Sequence, residues 1–136
     1  MHRETLEIKT RGRGFHEITG QTREIVTRSG SRDGLCSVFV RHTSASLVIT
    51  ENADPDVLVD LETVIASLAP DGDPRYQHTA EGPDDMSAHV RSVLTRTDIT
   101  IPVVQSALDL GTWQGLFLWE HRTRPHSRKV VVSLLY

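Results

Sequence analysis

The chain has 136 residues, of which 38% are hydrophobic and 24% charged. These ordinary globular values predict one folded domain, residues 1–136, around a single core, and they exclude a disordered chain. A formal net charge of -3 argues against general nucleic-acid binding, and no apolar run reaches membrane-spanning length. The lone cysteine, Cys36, rules out an internal disulfide. With no signal-peptide pattern at the start, a cytoplasmic protein with neither nucleic-acid nor membrane partners is expected. The basic residues are thirteen Arg and only two Lys, Lys9 and Lys129. Base-composition bias explains most of them, although guanidinium also grips phosphate and carboxylate in two-pronged fashion.

Residues 5–10 alternate, with Leu6 and Ile8 on one side, and predict a strand. Arg11-Gly12-Arg13-Gly14 is a turn, and residues 15–18 extend a second short strand. From Thr19 the pattern is helical and ends near Ser29-Gly30, with few apolar positions (Ile25, Val26). Ser31-Arg32-Asp33-Gly34 is a turn. Residues 35–43 predict a strand with Cys36, Val38, Val40 and His42 on one face and Leu35, Phe39 and Arg41 on the other. Both faces carry apolar residues, so this strand is expected to be central. Arg41 and His42 then project near its end, where ligands often sit. A hydrogen-bonded core histidine is the commoner reading of His42 from spacing alone. Thr43-Ser44-Ala45-Ser46 offers hydroxyls that either bind phosphate or satisfy backbone in a bend. Residues 47–49 resume the strand.

Asp54 suits a helix N-cap and Pro55 the first helical position. Val57, Leu58, Leu61, Val64, Ile65 and Leu68 form an apolar stripe at helical spacing, and Ala69-Pro70 ends the helix. Asp56, Asp60 and Glu62 read as a solvated face. Residues 71–76 are a polar loop leading into His78-Thr79-Ala80-Glu81-Gly82-Pro83-Asp84-Asp85-Met86-Ser87-Ala88-His89. Gly82-Pro83 marks a turn. Asp84 or Asp85 sits where an N-cap belongs, and Met86, Val90, Val93 and Leu94 then recur at helical spacing. Asp85 and His89, four apart, lie on one helix face. Imidazole and carboxylate on one face, with a second imidazole in the preceding loop, suit a metal or acid–base site. The ordinary alternative is a solvated, capped connection. Residues 98–104 predict a strand that Pro102 demotes to an edge or bulge, and residues 107–110 another. Gly111-Thr112-Trp113-Gln114-Gly115 is a glycine-bracketed turn. Residues 116–121 form a strand apolar on both faces, and residues 130–136 the last strand.

His42-Thr43-Ser44-Ala45-Ser46-Leu47, Glu51-Asn52-Ala53-Asp54-Pro55, the His78–His89 stretch, Leu110-Gly111-Thr112-Trp113-Gln114-Gly115 and Glu120-His121-Arg122 together resemble the YjbQ family. Its members are described as secondary thiamine-phosphate synthase enzymes. The resemblance spans nearly the whole chain in order, departing only at the Leu134-Leu135-Tyr136 terminus. It implies an α+β domain, with a mostly antiparallel sheet curved toward a barrel and two or three packed helices. It also implies a homotrimer with sites near subunit contacts, and a divalent metal held through His42, His78 and His89. Imidazole suits a zinc-like ion, and nearby carboxylates admit Mg²⁺ or Mn²⁺ with pyrophosphate.

The implied reaction joins a pyrimidine pyrophosphate to a thiazole phosphate and releases pyrophosphate, so charge on the leaving group must be neutralised. Arg41, Arg122 and Arg128 are the candidate cations, and Thr43, Ser44 and Ser46 the neutral donors. Glu81 or Asp85 is expected to orient an imidazole. The 111–115 turn is expected at the pocket, with Gln114 offering both donor and acceptor. Arg122 is expected at the phosphate end, its guanidinium held by Glu120. A metal-dependent hydrolase of a phosphate or small ester, or a non-catalytic anion-binding module, would use the same residues.

Overall fold

The computed structural model describes residues 1–136. In chain order the elements are β1 (His2–Lys9), β2 (Gly14–Glu17), α1 (Thr19–Ser29), β3 (Gly34–Val40), β4 (Ala45–Glu51), α2 (Pro55–Leu68), α3 (Asp85–Leu94), β5 (Asp98–Val104), β6 (Ala107–Leu108), β7 (Gln114–Glu120) and β8 (Ser127–Leu135). Every strand pair is antiparallel. One sheet has the order β1-β8-β3-β5-β6 and the other β2-β7-β4. A bridge ties Leu47 of β4 to Arg96 in the segment just ahead of β5, and the strands curve into a half-barrel. The α+β class expected from the sequence holds.

The core lies on the concave side. Cys36, Val38 and Val40 of β3 meet Val130, Val132 and Leu134 of β8, Ile99, Ile101 and Val103 of β5, and Leu116 and Leu118 of β7. Helix α1 closes this side with Ile25 and Val26. It ends at Gly30, whose φ of 70° is the left-handed conformation that glycine adopts without steric cost. Pro102 lies in β5, beside the two-residue edge strand β6. That edge partner pairs only Val103 and Val104, so the proline takes little from the ladder.

Helix α2 starts as expected. Asp54 accepts the Asp56 N–H at 2.9 Å, and Pro55 takes the first helical position. The helix packs outside the three-stranded sheet, where Trp119 Nε1 donates to Glu62 Oε2 at 2.7 Å. Glu62 is therefore a buttress rather than part of a solvated face. Phe15 stacks on Trp119 with ring centroids 4.3 Å apart. Of the helix's apolar stripe only Ile65 is buried.

Helix α3 departs further from its pattern. Its buried face is Asp85, Ser87, Ala88, Arg91 and Ser92, while Val93 is 84% exposed. The polar face is inside because each member finds a partner there. Arg91, for example, donates to Ala69 O and Glu62 Oε1.

The 111–115 turn is a tight one, closed by the Gly111 N–H on Gln114 Oε1 at 2.8 Å. It stands at the start of β7, however, and Glu120 and Arg122 stand at the other end. Six residue steps along β7, from Gln114 to Glu120, separate the ends by about 20 Å. The expectation that this turn belongs to the pocket around Arg122 does not hold within one chain.

Two apolar surfaces are left open. Val64 and Leu68 of α2 are 56% and 63% exposed, and Leu35, Phe39, Val104 and Leu135 on the convex face of the larger sheet are each about half exposed. A chain this short has too little material to cover both faces of its sheets. Self-association, expected as a homotrimer, should cover them. Static light scattering at micromolar concentration should return a multiple of the 15.2 kDa chain mass. A monomer would overturn the expectation.

His121 is fully buried, with Nε2 2.8 Å from Ser46 Oγ and Nδ1 without a partner. Burial, together with the positive charges of Arg91, Arg13 and Arg128, pushes its pKa down to about 3. The unfolded chain binds this proton near the ordinary value of about 6.5, so the fold loses stability as pH falls between those two values. The contribution is on the order of 1.4 kcal/mol per pH unit. Urea unfolding of His121→Gln across that range should show a shallower decline than the native chain.

Candidate metal centre

The site is built where the N-terminus of α3 meets the end of β7. Asp84 takes the N-cap position of α3 but does not cap through its side chain. Its carboxylate instead accepts the Thr123 N–H at 2.9 Å and Arg122 Nε at 3.1 Å. Burial would raise the Asp84 carboxyl, but these bonds more than offset it and hold the group far below the usual carboxylate range. Arg122 extends the clamp. Its Nη1 donates to Asp85 Oδ1 at 2.7 Å and its Nη2 to Glu81 O at 3.1 Å. One guanidinium thus fixes the loop before α3 and the first turn of the helix.

With Oδ1 committed to Arg122, Asp85 turns Oδ2 toward two imidazoles. His78 Nε2 lies 2.6 Å from it and His89 Nε2 3.0 Å. The three ligand-type atoms lie within 4.8 Å of one another. Asp85 is buried while His78 and His89 reach solvent. Burial would raise the Asp85 carboxyl. The hydrogen bond to His78 and the charges of His89 and Arg122 more than compensate, and it is held below its ordinary value. His78 is raised, chiefly by its hydrogen bond to Asp85.

The protonation pattern of His89 is decisive. Its Nδ1 is 3.0 Å from Thr43 O. A carbonyl oxygen only accepts, so Nδ1 carries the proton. In a neutral ring Nε2 is then a lone pair, aimed at a carboxylate oxygen that is also an acceptor. Only a cation relieves that contact, either a second proton on the ring or a metal ion.

The other expected residues fall in different places. His42 is not in this cluster. Its Nε2 accepts the Lys129 backbone N–H at 2.8 Å, which uses the lone pair a metal would need. It shares with His89 a cavity of about 420 Å³, lined also by Thr43, Ser92, Val93, Thr95 and Thr97. Burial and the charges of Arg128 and Arg41 lower its pKa, against the opposing pull of Glu120. Glu81 is a more distant neighbour, with Oε2 3.5 Å from His78 Nε2. Arg41 and Thr43 are exposed, and of the two only Thr43 lines the cavity.

Ser44, Ser46 and Arg128 are buried and internally engaged. Arg128 pairs with Glu120 through two nitrogens and donates to Ser44 Oγ at 2.9 Å. Ser46 bonds His121, and Gln114 closes the remote turn. Glu120 therefore does not hold the Arg122 guanidinium: it pairs with Arg128 and accepts only the Arg122 backbone N–H, at 3.2 Å. Arg122 is buried, commits all three of its nitrogens to Asp84, Asp85 and Glu81 O, and so acts as a positioning residue for Asp85. Sequence spacing gave no signal for Asp84 and Thr123 as the outer supports, because their contact joins segments 39 residues apart.

Arg122→Ala would leave two buried carboxylates without their cation. A stability loss of about 3 kcal/mol or more is expected in urea unfolding. A loss below about 1 kcal/mol would place these pairs among ordinary surface bridges.

Residues 4–136 match the family described as UPF0047 protein YjbQ-like. A UPF0047 protein of Synechocystis sp. is 56% identical over 133 residues, covering 98% of this chain and 90% of that one. YjbQ of Escherichia coli O157:H7 is 36% identical over 134 residues, covering 98% and 96%. Among solved structures, a protein of this family from Clostridium acetobutylicum superposes with a TM-score of 0.89 at 34% identity, covering 97% of this chain and 99% of that one. With the family match running over residues 4–136 and these relatives covered almost end to end, this chain belongs to the YjbQ/UPF0047 family.

Proposed function

We propose that the chain is a metal-dependent enzyme acting on phosphorylated small molecules, with His78, Asp85 and His89 as the metal ligands. The carrying observation is the Asp85 Oδ2 atom between two imidazole Nε2 atoms, with the His89–Thr43 bond fixing Nδ1 as that ring's donor and so leaving Nε2 as its only possible ligating atom. Two imidazoles and one carboxylate form a donor set suited to a zinc-like ion, and three protein ligands leave a coordination position for a ligand. Such an ion would supply neutralisation of negative charge on a phosphoryl or pyrophosphoryl group.

The protein's own groups do the rest. Arg122 keeps Asp85 ionised and aimed. Thr43 O keeps the His89 ring in the ligating tautomer. The cavity beside His89 receives the substrate, and its size falls within the range of small-molecule sites. Within this class, the specific reading is the joining of a pyrimidine pyrophosphate to a thiazole phosphate. The 420 Å³ cavity has hydroxyl and imidazole lining and no carboxylate, which favours an anionic group there.

Zinc titration of chelator-treated protein tests the centre. His78 protonated on Asp85 adds stability below the ordinary imidazole range, and that contribution is lost as pH rises through its raised pKa. Zinc must displace this proton, so its binding should strengthen, and its effect on melting temperature grow, from about pH 6 to about pH 8. His78→Ala and His89→Ala should each weaken zinc binding by more than about tenfold. Equal zinc binding by both variants would remove the centre.

The reaction is tested by pyrophosphate release from zinc-loaded protein given the pyrimidine pyrophosphate, with and without the thiazole phosphate. Release that needs both supports the synthase. Release of inorganic phosphate from either substrate alone would indicate the hydrolase instead.

A further inference from the structure

The His42 ring faces the cavity shared with His89, and its chemistry there is fixed from behind. The Lys129 backbone N–H reaches Nε2 at 2.8 Å, so Nε2 is an acceptor and the proton of the neutral ring sits on Nδ1. That N–H has no acceptor within the protein. Two of the cavity's hydroxyls are already spent: Ser92 donates to Ala45 O and Thr95 to Arg91 O. The hydroxyls of Thr43 and Thr97 are uncommitted. The lining therefore offers three free neutral donors and includes no carboxylate. The positive charges of Arg128 and Arg41 act on His42, and the opposing charge of Glu120 is already paired with Arg128.

From this geometry we propose that His42, through Nδ1–H and together with the hydroxyls of Thr43 and Thr97, forms a subsite for a phosphoryl oxyanion beside the His78–Asp85–His89 centre. The proposal rests on the metal-dependent reading for its setting, but it gives His42 the role of substrate-positioning donor rather than metal ligand. A neutral donor suits this place. It binds the oxyanion without delivering a proton to it, and the Lys129 bond prevents the ring from turning its lone pair to the ligand.

The two ring nitrogens can be replaced separately. In His42→Gln the amide reaches the Nε2 position, retaining an acceptor for Lys129 and removing the donor into the cavity. In His42→Asn the amide sits near Nδ1 and retains that donor. Thr97→Val removes one hydroxyl at nearly constant volume. Calorimetric titration with pyrophosphate and with inorganic phosphate, on zinc-loaded and on chelator-treated protein, reads the subsite directly, and bound zinc is counted in every variant.

Both His42 variants should hold zinc at the native stoichiometry. His42→Gln should bind pyrophosphate about tenfold more weakly, the loss of one hydrogen bond to a charged group. His42→Asn should stay within about threefold of the native chain, and Thr97→Val should fall between. Unchanged pyrophosphate binding by His42→Gln overturns the proposal, as does equal weakening in His42→Asn. Loss of zinc from His42→Gln would make His42 a ligand and also overturns it. If the native chain takes up no zinc, the metal reading fails separately. Weakened pyrophosphate binding by chelator-treated His42→Gln would still support the subsite. Inorganic phosphate bound as tightly as pyrophosphate would place a single phosphoryl group there.

Discussion

Arg122 is the constraint on which the site depends. Its guanidinium meets Asp84, Asp85 and Glu81 O at once, using Nε, Nη1 and Nη2. Two carboxylates side by side at a helix start, both buried, would repel each other and shed ionisation without that cation. With it, both stay charged, and each has a separate task. Asp84 ties the helix start to Thr123 on the segment after β7, and Asp85 is left with one oxygen for the two imidazoles. The buried pair is costly to form and costly to break, so it sets geometry more than net stability.

The same economy runs through the surrounding interior. Glu120 and Arg128 pair in full burial, with Thr10 and Ser44 completing their hydrogen bonds. Arg91 is buried to 1% exposure and spans Ala69 O and Glu62. Glu62 in turn receives Trp119 from β7. These contacts link α2, α3 and both sheets through groups that bond only in one arrangement. An apolar interface of the same area would tolerate sliding. A site needing atoms placed within a few tenths of an ångström gains from the polar alternative.

How much could be read from the sequence followed from how local each signal was. The strands and helices were legible because alternation, helical spacing, Asp54-Pro55 and the glycine turns act over a few residues. The pairing of Asp85 with His89 was legible for the same reason, being one helical turn. His42 was not, since its strand ends at Val40 and the alternation that put it on the core face stops there. The polar burial of α3 was hidden too. Met86, Val90, Val93 and Leu94 do recur at helical spacing, but Asp85, Ser87, Arg91 and Ser92 find buried partners on distant segments. The partner of Glu120 was misread because Arg122 is two residues away while Arg128 arrives on another strand.

His89 joins the two halves of the site in one ring. Its Nε2 faces Asp85, and its Nδ1 donates to Thr43 O on the segment that follows β3. That segment also carries His42, whose own ring is held by Lys129 at the start of β8. A shift of the β3–β4 connection would therefore change the His89 tautomer as well as the placement of His42. The nitrogen that a metal would meet and the donor that a ligand would meet are set by the same few backbone groups. On the proposed reading neither half can be tuned alone, because Thr43 holds His89 through its carbonyl and would supply its hydroxyl to the subsite.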